Sequence, residues 1–132
     1  MRSVCHCITL RRASRRMTAL YDEMLAPAGV NLAQYSLMRN IATRGPVSLT
    51  ELAARVELDR STVGRNVKGL EKMGLVSAAP GADQREQALS LTERGASTLK
   101  QATPLWQAAQ DRVEALLGPD GTERLEALLQ AL

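Results

Sequence analysis

The sequence predicts a mainly α-helical domain carrying a small β-wing, an α+β arrangement in which a winged helix-turn-helix is flanked by helices at both ends. Three observations predict it. Residues 48–74 hold two short capped apolar-periodic segments separated by a tight turn. Residues 75–91 hold two short strand-like runs around a Gly-containing tip. On either side lie longer segments whose apolar residues recur at helical spacing.

The first helix spans about residues 6–26, with Leu10, Ala13, Met17, Leu20, Tyr21, Met24 and Leu25 on one side. Arg11, Arg12, Arg15 and Arg16 mark its polar side, available to DNA, an acidic surface or an anionic ligand, or simply solvated. Pro27-Ala28-Gly29 breaks it. Asn31 caps a second helix through Leu37, Met38 and Ile41, which ends near Gly45-Pro46.

Ser48 starts the next helix, and Glu51 three residues on completes a capping box. Leu49, Leu52, Ala53 and Val56 form its buried side, and Val56-Glu57-Leu58 is a turn. Asp59 caps the following helix. Val63, Val67, Leu70 and Met73 run along it at helical spacing, and Gly74 stops it in a left-handed conformation. With that stripe buried, Ser61, Arg65, Lys68 and Lys72 lie opposite, flanked by Thr62 and Asn66. Gly64 leaves room for close backbone approach, and no acidic residue occurs between Arg60 and Leu70.

A helix that reads DNA needs this distribution. Its first turns meet base edges, and basic residues farther along hold phosphates. Arg65 suits a two-bond contact with guanine and Asn66 one with adenine. Residues Leu75–Ala79 then form a strand, Pro80-Gly81-Ala82-Asp83-Gln84 a turn, and Leu89 and Leu91 the buried side of a return strand. Arg85 near the tip is placed for a minor groove or a phosphate, and Asp83 to orient a nearby arginine. The expected DNA-contacting set is therefore Arg60, Ser61, Thr62, Arg65, Asn66, Lys68 and Arg85.

A long helix follows over Glu93–Leu117, in which Pro104 is expected to kink the chain or interrupt its hydrogen bonding. Gly118-Pro119-Asp120-Gly121 is a turn. The last helix presents Leu125, Leu128, Leu129 and Leu132, an apolar stripe that needs a cover.

Almost the whole chain resembles the MarR family of winged-helix regulators. The matching pieces are Glu51-Leu52-Ala53, Asp59-Arg60-Ser61-Thr62, Leu70-Glu71-Lys72-Met73-Gly74-Leu75-Val76, Asp83 with Arg85, and Leu91-Thr92-Glu93-Arg94-Gly95. Gln84 and Gln87 depart from the further charges that many members carry in the wing. The resemblance implies a homodimer on a pseudopalindromic operator, most often a repressor released by a small molecule or an oxidant. It makes residues 1–132 one domain, with the winged helix-turn-helix at about 32–91 and dimerisation helices at about 6–26 and 93–132. A second copy is then the cover for the final leucine stripe.

Composition sets wider bounds. A chain of 132 residues is one domain with a sizeable core. The net charge of +3 is unevenly spread: residues 1–47 carry seven basic against two acidic side chains, and residues 101–132 two against five. No run approaches the ~18 apolar residues of a membrane span, and a cytoplasmic location without membrane contact is expected. One histidine, no phosphate-cradling glycine loop and no nucleophile–base pattern argue against an enzyme. A winged helix devoted to protein contacts is disfavoured by the Arg/Lys/Asn surface of residues 60–68. The expected nucleic-acid partner is double-stranded DNA.

Cys5-His6-Cys7 is the one cluster of soft ligands, but adjacent residues on a helix surround a metal poorly. No metal or other cofactor is expected. A cysteine in a helix's first turn meets N–H groups that favour thiolate, which peroxides oxidise to sulfenic acid. Cys7 with Tyr21 resembles the organic-hydroperoxide-sensing branch of the MarR family, although Leu32 and Arg11 replace aromatic residues of that branch. Cys5 is placed to act as a resolving thiol, and the alternative is two cysteines that merely pack. For a small-molecule effector, the resemblance implies a pocket between helical base and winged helix, with Tyr35, Met38 and Trp106 as candidate lining or, equally, core.

Overall fold

The computed structural model describes residues 3–43, 45–83 and 85–132. Its elements run α1 (His6–Leu25), a 3-10 turn (Ala26–Ala28), α2 (Leu32–Thr43), β1 (Val47–Ser48), α3 (Leu49–Val56), α4 (Arg60–Lys72), β2 (Val76–Pro80), β3 (Gln87–Leu91) and α5 (Glu93–Gln130). Gln84, expected in the wing turn, lies outside the described residues.

Capping chemistry sets most boundaries. Pro27 falls in the 3-10 turn, and Gly29 ends it at φ 78°. At the start of α2 the Asn31 side chain accepts from the Gln34 N–H while the Asn31 N–H donates to the Gln34 side chain, both at 2.9 Å. Asp22 of α1 also accepts from the Leu32 N–H at 2.8 Å, which fixes α1 against the start of α2. Ser48 accepts from the Glu51 N–H at 3.1 Å, as a capping residue should. The Glu51 carboxylate turns to Arg55 at 3.7 Å. Between α3 and α4, Glu57 takes the left-handed conformation (φ 54°), the single non-glycine residue to do so among those described.

The three strands form an antiparallel sheet in the order β1-β3-β2. Val47 pairs with Leu89, and Val76 with Leu91. The first wing strand begins at Val76 rather than Leu75 and continues to Pro80, which pairs with Gln87 instead of belonging to the turn. A proline is tolerated there because β2 is an edge strand with one side free of ladder bonds.

Side chains from α1, α2, α3, α4 and the sheet meet in one core around Leu25, Leu37, Met38, Ile41, Leu52, Val63, Leu70 and Val47, all below 3% exposed. α5 adds Ala102, with Leu99, Leu105 and Trp106 packed against the edge of this core. The α5 backbone stays helical through Pro104. Pro104 and Lys100, whose carbonyl loses its partner, are both exposed, so water can take the freed bond. The interruption falls instead at Gly118 (φ 73°, ψ 167°), and the expected four-residue turn shrinks to that residue. Pro119 restarts the helix at the position where a missing N–H costs nothing. Beyond the break Leu128, Leu129 and Leu132 are 67%, 49% and 94% exposed, so their stripe is uncovered within the chain.

Candidate nucleic-acid interface

The N-terminus of α4 is organised by Asp59. Its carboxylate accepts from the Thr62 N–H (3.1 Å), the Ser61 hydroxyl (2.5 Å) and the Thr62 hydroxyl (2.7 Å). The bonds from Ser61 and Thr62 hold its pKa down at about 2. Arg65 then donates to the Thr62 hydroxyl oxygen at 3.4 Å. Asp59, Thr62 and Arg65 thus form a relay that aims the guanidinium along the helix start. The Ser61 and Thr62 hydroxyl protons are both committed to Asp59.

Arg60, Ser61, Arg65 and Lys68 are exposed, Thr62 and Asn66 half-buried, and Val63, Val67 and Leu70 buried. The burial pattern therefore separates a polar row from an apolar one on a single helix. Gly64 faces Leu49 of α3, where an added Cβ would sit 3.5 Å from the leucine side chain. Its room is thus against a neighbouring helix.

The wing stands beside this row. Asp83 accepts from the backbone N–H of Arg85 at 3.1 Å. It orients Arg85 through the main chain rather than through a guanidinium. Arg85 is exposed. Between α4 and the wing runs an open cleft of about 410 Å³ lined by Arg60, Lys68 and Arg85 together with Glu71, Glu86 and Gln87. Glu86 is a residue of this surface that helix periodicity does not reveal. It accepts a hydrogen bond from Thr50 of α3 and pairs with Arg60 at 3.6 Å. The acid-free stretch of α4 thereby acquires an acidic neighbour from the wing.

The MarR family model matches residues 30–86. The transcriptional regulator MosR of M. tuberculosis, solved with DNA, is 36% identical, with TM-score 0.85 over 97% of this chain and 96% of that one. The chain belongs to the MarR family. A DNA-bound transcriptional repressor, CouR, is 27% identical with TM-score 0.85 over 96% of this chain and 91% of its own. The HTH-type regulator YwoH of Bacillus subtilis is 30% identical over 84 residues, which is 64% of this chain but 61% of YwoH. The match to a Bacillus cereus regulator spans 65% of that protein. The chain thus carries the fold of a family of DNA-binding transcriptional regulators, and its matches span less than two thirds of these curated relatives.

The remaining candidate residues fall in two places. Cys5 occupies the N-cap position of α1 without a side-chain capping bond, Cys7 lies in its first turn, and both are exposed. Tyr21 is fourteen residues from Cys7, about 21 Å along a continuous helix, so the two do not meet within one chain. The Tyr21 hydroxyl bonds to Gln110 of α5. Burial, and then the charge of Glu114, push its pKa up.

Tyr35 and Met38 are 2% and 1% exposed and belong to the core. Trp106 is half-buried. It stacks on Tyr35 with ring centroids 5.8 Å apart and carries the Arg39 guanidinium 4.5 Å over its ring. Trp106 also lines a groove of about 520 Å³ between α1 and α5, with Met17, Tyr21, Leu32, Gln110 and Leu125. Among the described residues no helix is long and apolar enough to cross a membrane.

Proposed function

We propose that this MarR-family regulator acts in the cytoplasm as a homodimeric repressor, reading a pseudopalindromic operator and released by a small-molecule effector. The observation that carries the DNA-reading part is the exposed row Arg60, Ser61, Arg65 and Lys68, with Arg65 braced on Asp59 through Thr62. In this reading α4 enters the major groove. Ser61, Thr62, Arg65 and Asn66 face base edges with Arg60 at the helix entry beside them, Lys68 farther along holds a phosphate, and Arg85 follows the backbone or the minor groove. Two copies place two such helices on half-sites about 10 bp apart. The dimer is supported by apolar side chains exposed at both ends of the chain: Val4, Ile8 and Leu10, and Leu116, Leu128 and Leu132. The repressor role has the DNA-bound repressor CouR as its precedent.

The effector reading is supported by the groove at Trp106. Its lining is largely apolar, and Tyr21, Gln110, Ser14 and Thr18 supply polar groups. A small, mostly apolar molecule with one or two hydrogen-bonding groups fits that lining. A second reading rests on the exposed Cys5–Cys7 pair at the start of α1. The Cys7 thiolate attacks the O–O bond of a hydroperoxide, giving a sulfenic acid and releasing the alcohol. Cys5 then displaces water to close a disulfide.

The test is binding to duplexes selected from a random-sequence library, by the wild type and by Arg65→Ala and Lys68→Ala. Arg65→Ala is expected to abolish most discrimination between selected and random duplexes. Lys68→Ala is expected to weaken both alike. Unchanged selectivity in Arg65→Ala removes that residue from the reading set. Release of DNA by organic hydroperoxide, lost in Cys7→Ser, selects the thiol reading over the effector one.

A further inference from the structure

Glu86 lies inside the surface assigned above to DNA, where a negative charge works against phosphate binding. Its surroundings show what it is engaged with. The same carboxylate oxygen, Oε1, accepts from the Thr50 hydroxyl and faces the Arg60 guanidinium at 3.6 Å. Thr50 is in the first turn of α3, Arg60 is the first residue of α4, and Glu86 immediately precedes β3. One side chain therefore joins the two helices of the helix-turn-helix to the tip end of the wing. The Glu86 backbone is fixed as well: its N–H donates to Asp83 O and its carbonyl accepts from Gly81 N–H, both at 3.0 Å. The Glu86 side chain is 31% exposed against 59% for Arg60, so the acid is the more enclosed partner and the arginine the more solvent-facing one.

We propose that Glu86 is a specificity-determining positioning residue that holds Arg60 back from the DNA backbone. The inference rests on the DNA-binding reading above. While the pair is intact, Arg60 contributes little to sequence-independent phosphate binding, because its charge is neutralised 3.6 Å away. Glu86 thus lowers affinity for random DNA and keeps Arg60 near the start of α4, beside the bases that Ser61 and Arg65 face. Discrimination improves through the loss of indiscriminate binding.

Glu86→Gln tests this, because a glutamine retains an acceptor for Thr50 and removes the charge that holds Arg60. Binding of the full chain to a random-sequence 25-bp duplex is measured between 50 and 200 mM salt, for wild type, Glu86→Gln, Arg60→Ala and the double variant. Each additional phosphate contact steepens the log–log salt dependence by about 0.9. Glu86→Gln is therefore expected to bind random DNA more tightly at low salt and to lose about 3.5-fold more affinity than wild type across that fourfold range. The extra loss should vanish in the Arg60→Ala background. A salt dependence unchanged by Glu86→Gln overturns the proposal and leaves Glu86 a structural tie. Equal steepening with and without Arg60 also overturns it, because removal of any acid would then suffice. A wild type that binds no duplex overturns the DNA-binding reading itself along with the proposal.

Discussion

Gly95→Ala is the substitution whose outcome the geometry decides most sharply. Gly95 is the third residue of α5, where alanine is ordinarily favoured by about 1 kcal/mol over glycine. Propensity alone thus predicts stabilisation. Here a Cβ on Gly95 would lie 2.0 Å from the Leu75 carbonyl oxygen and 3.0 Å from its carbon. Ordinary contact begins near 3.4 Å, so one backbone must retreat by more than an ångström. Neither is free to do so. Leu75 O accepts from Thr92 N–H at 3.1 Å, and Leu75 N–H donates to Leu70 O at 3.0 Å. A backbone clash in a closed site costs about 3 kcal/mol, and loss of the Thr92 bond adds about 1. Against the propensity gain, a net destabilisation of about 3 kcal/mol is expected. For a chain of this size that corresponds to a fall in Tm of about 10 °C. The assay is urea unfolding followed by circular dichroism at matched protein concentration, with Gly69→Ala as the control. Gly69 is also helical but has nothing within 4 Å of its added Cβ, so alanine there should stabilise by up to about 1 kcal/mol. A Gly95→Ala variant as stable as wild type would refute the close-approach reasoning.

Three further outcomes follow from named contacts. Asp59 is held at about 2 against an ordinary 3.8, so its contribution is present above the ordinary value and lost as pH falls through the lower one. Asp59→Asn keeps a capping oxygen without the charge, and stability should then fall less steeply between about pH 4 and pH 2; an unaltered slope in acid unfolding contradicts this. Thr92→Val removes a hydroxyl that accepts from Gly95 N–H at 2.9 Å and donates to Gly74 O at 2.6 Å. It should cost about 2 kcal/mol in urea unfolding, and a loss near zero would mean water replaces both bonds. Trp106→Leu forfeits the stack on Tyr35 and the contact with Arg39. About 1–2 kcal/mol beyond lost area is expected, and a double variant with Arg39→Ala checks that the two losses are coupled.

What the sequence made legible was short-range. Ser48, Asp59 and Asn31 each cap a helix with a partner three residues away, and Gly74 has the left-handed conformation its place after a helix implies. Such devices declare themselves because both partners lie within one turn. The apolar stripe of α4 similarly indicated which of its side chains stay exposed. The features that escaped depend on distant pairings. The two-residue β1 exists because Val47 meets Leu89. Glu86 finds Thr50 across 36 positions, and Tyr21 finds Gln110 across 89. Tyr35 and Met38 belong to the core because α2 is enclosed by α3, α4 and α5, which the aromatic content alone does not tell. Pro104 was a strong local signal for a kink, yet its exposed side lets solvent absorb the missing bond, whereas Gly118 combines a free φ with a following proline.

The wing begins and ends at one place. Gly74 O and Leu75 O are both held by Thr92, through its hydroxyl and its N–H respectively. The intervening segment is therefore an excursion whose two ends are clasped independently of its length. Residues inserted at the tip, around Ala82, would lengthen the ribbon without altering how α4 meets α5. Their entropic cost grows only slowly with added residues. On the proposed reading, reach along a DNA backbone is adjustable separately from the spacing of the two α4 helices, and wing length is a variable that engineering or divergence can change first.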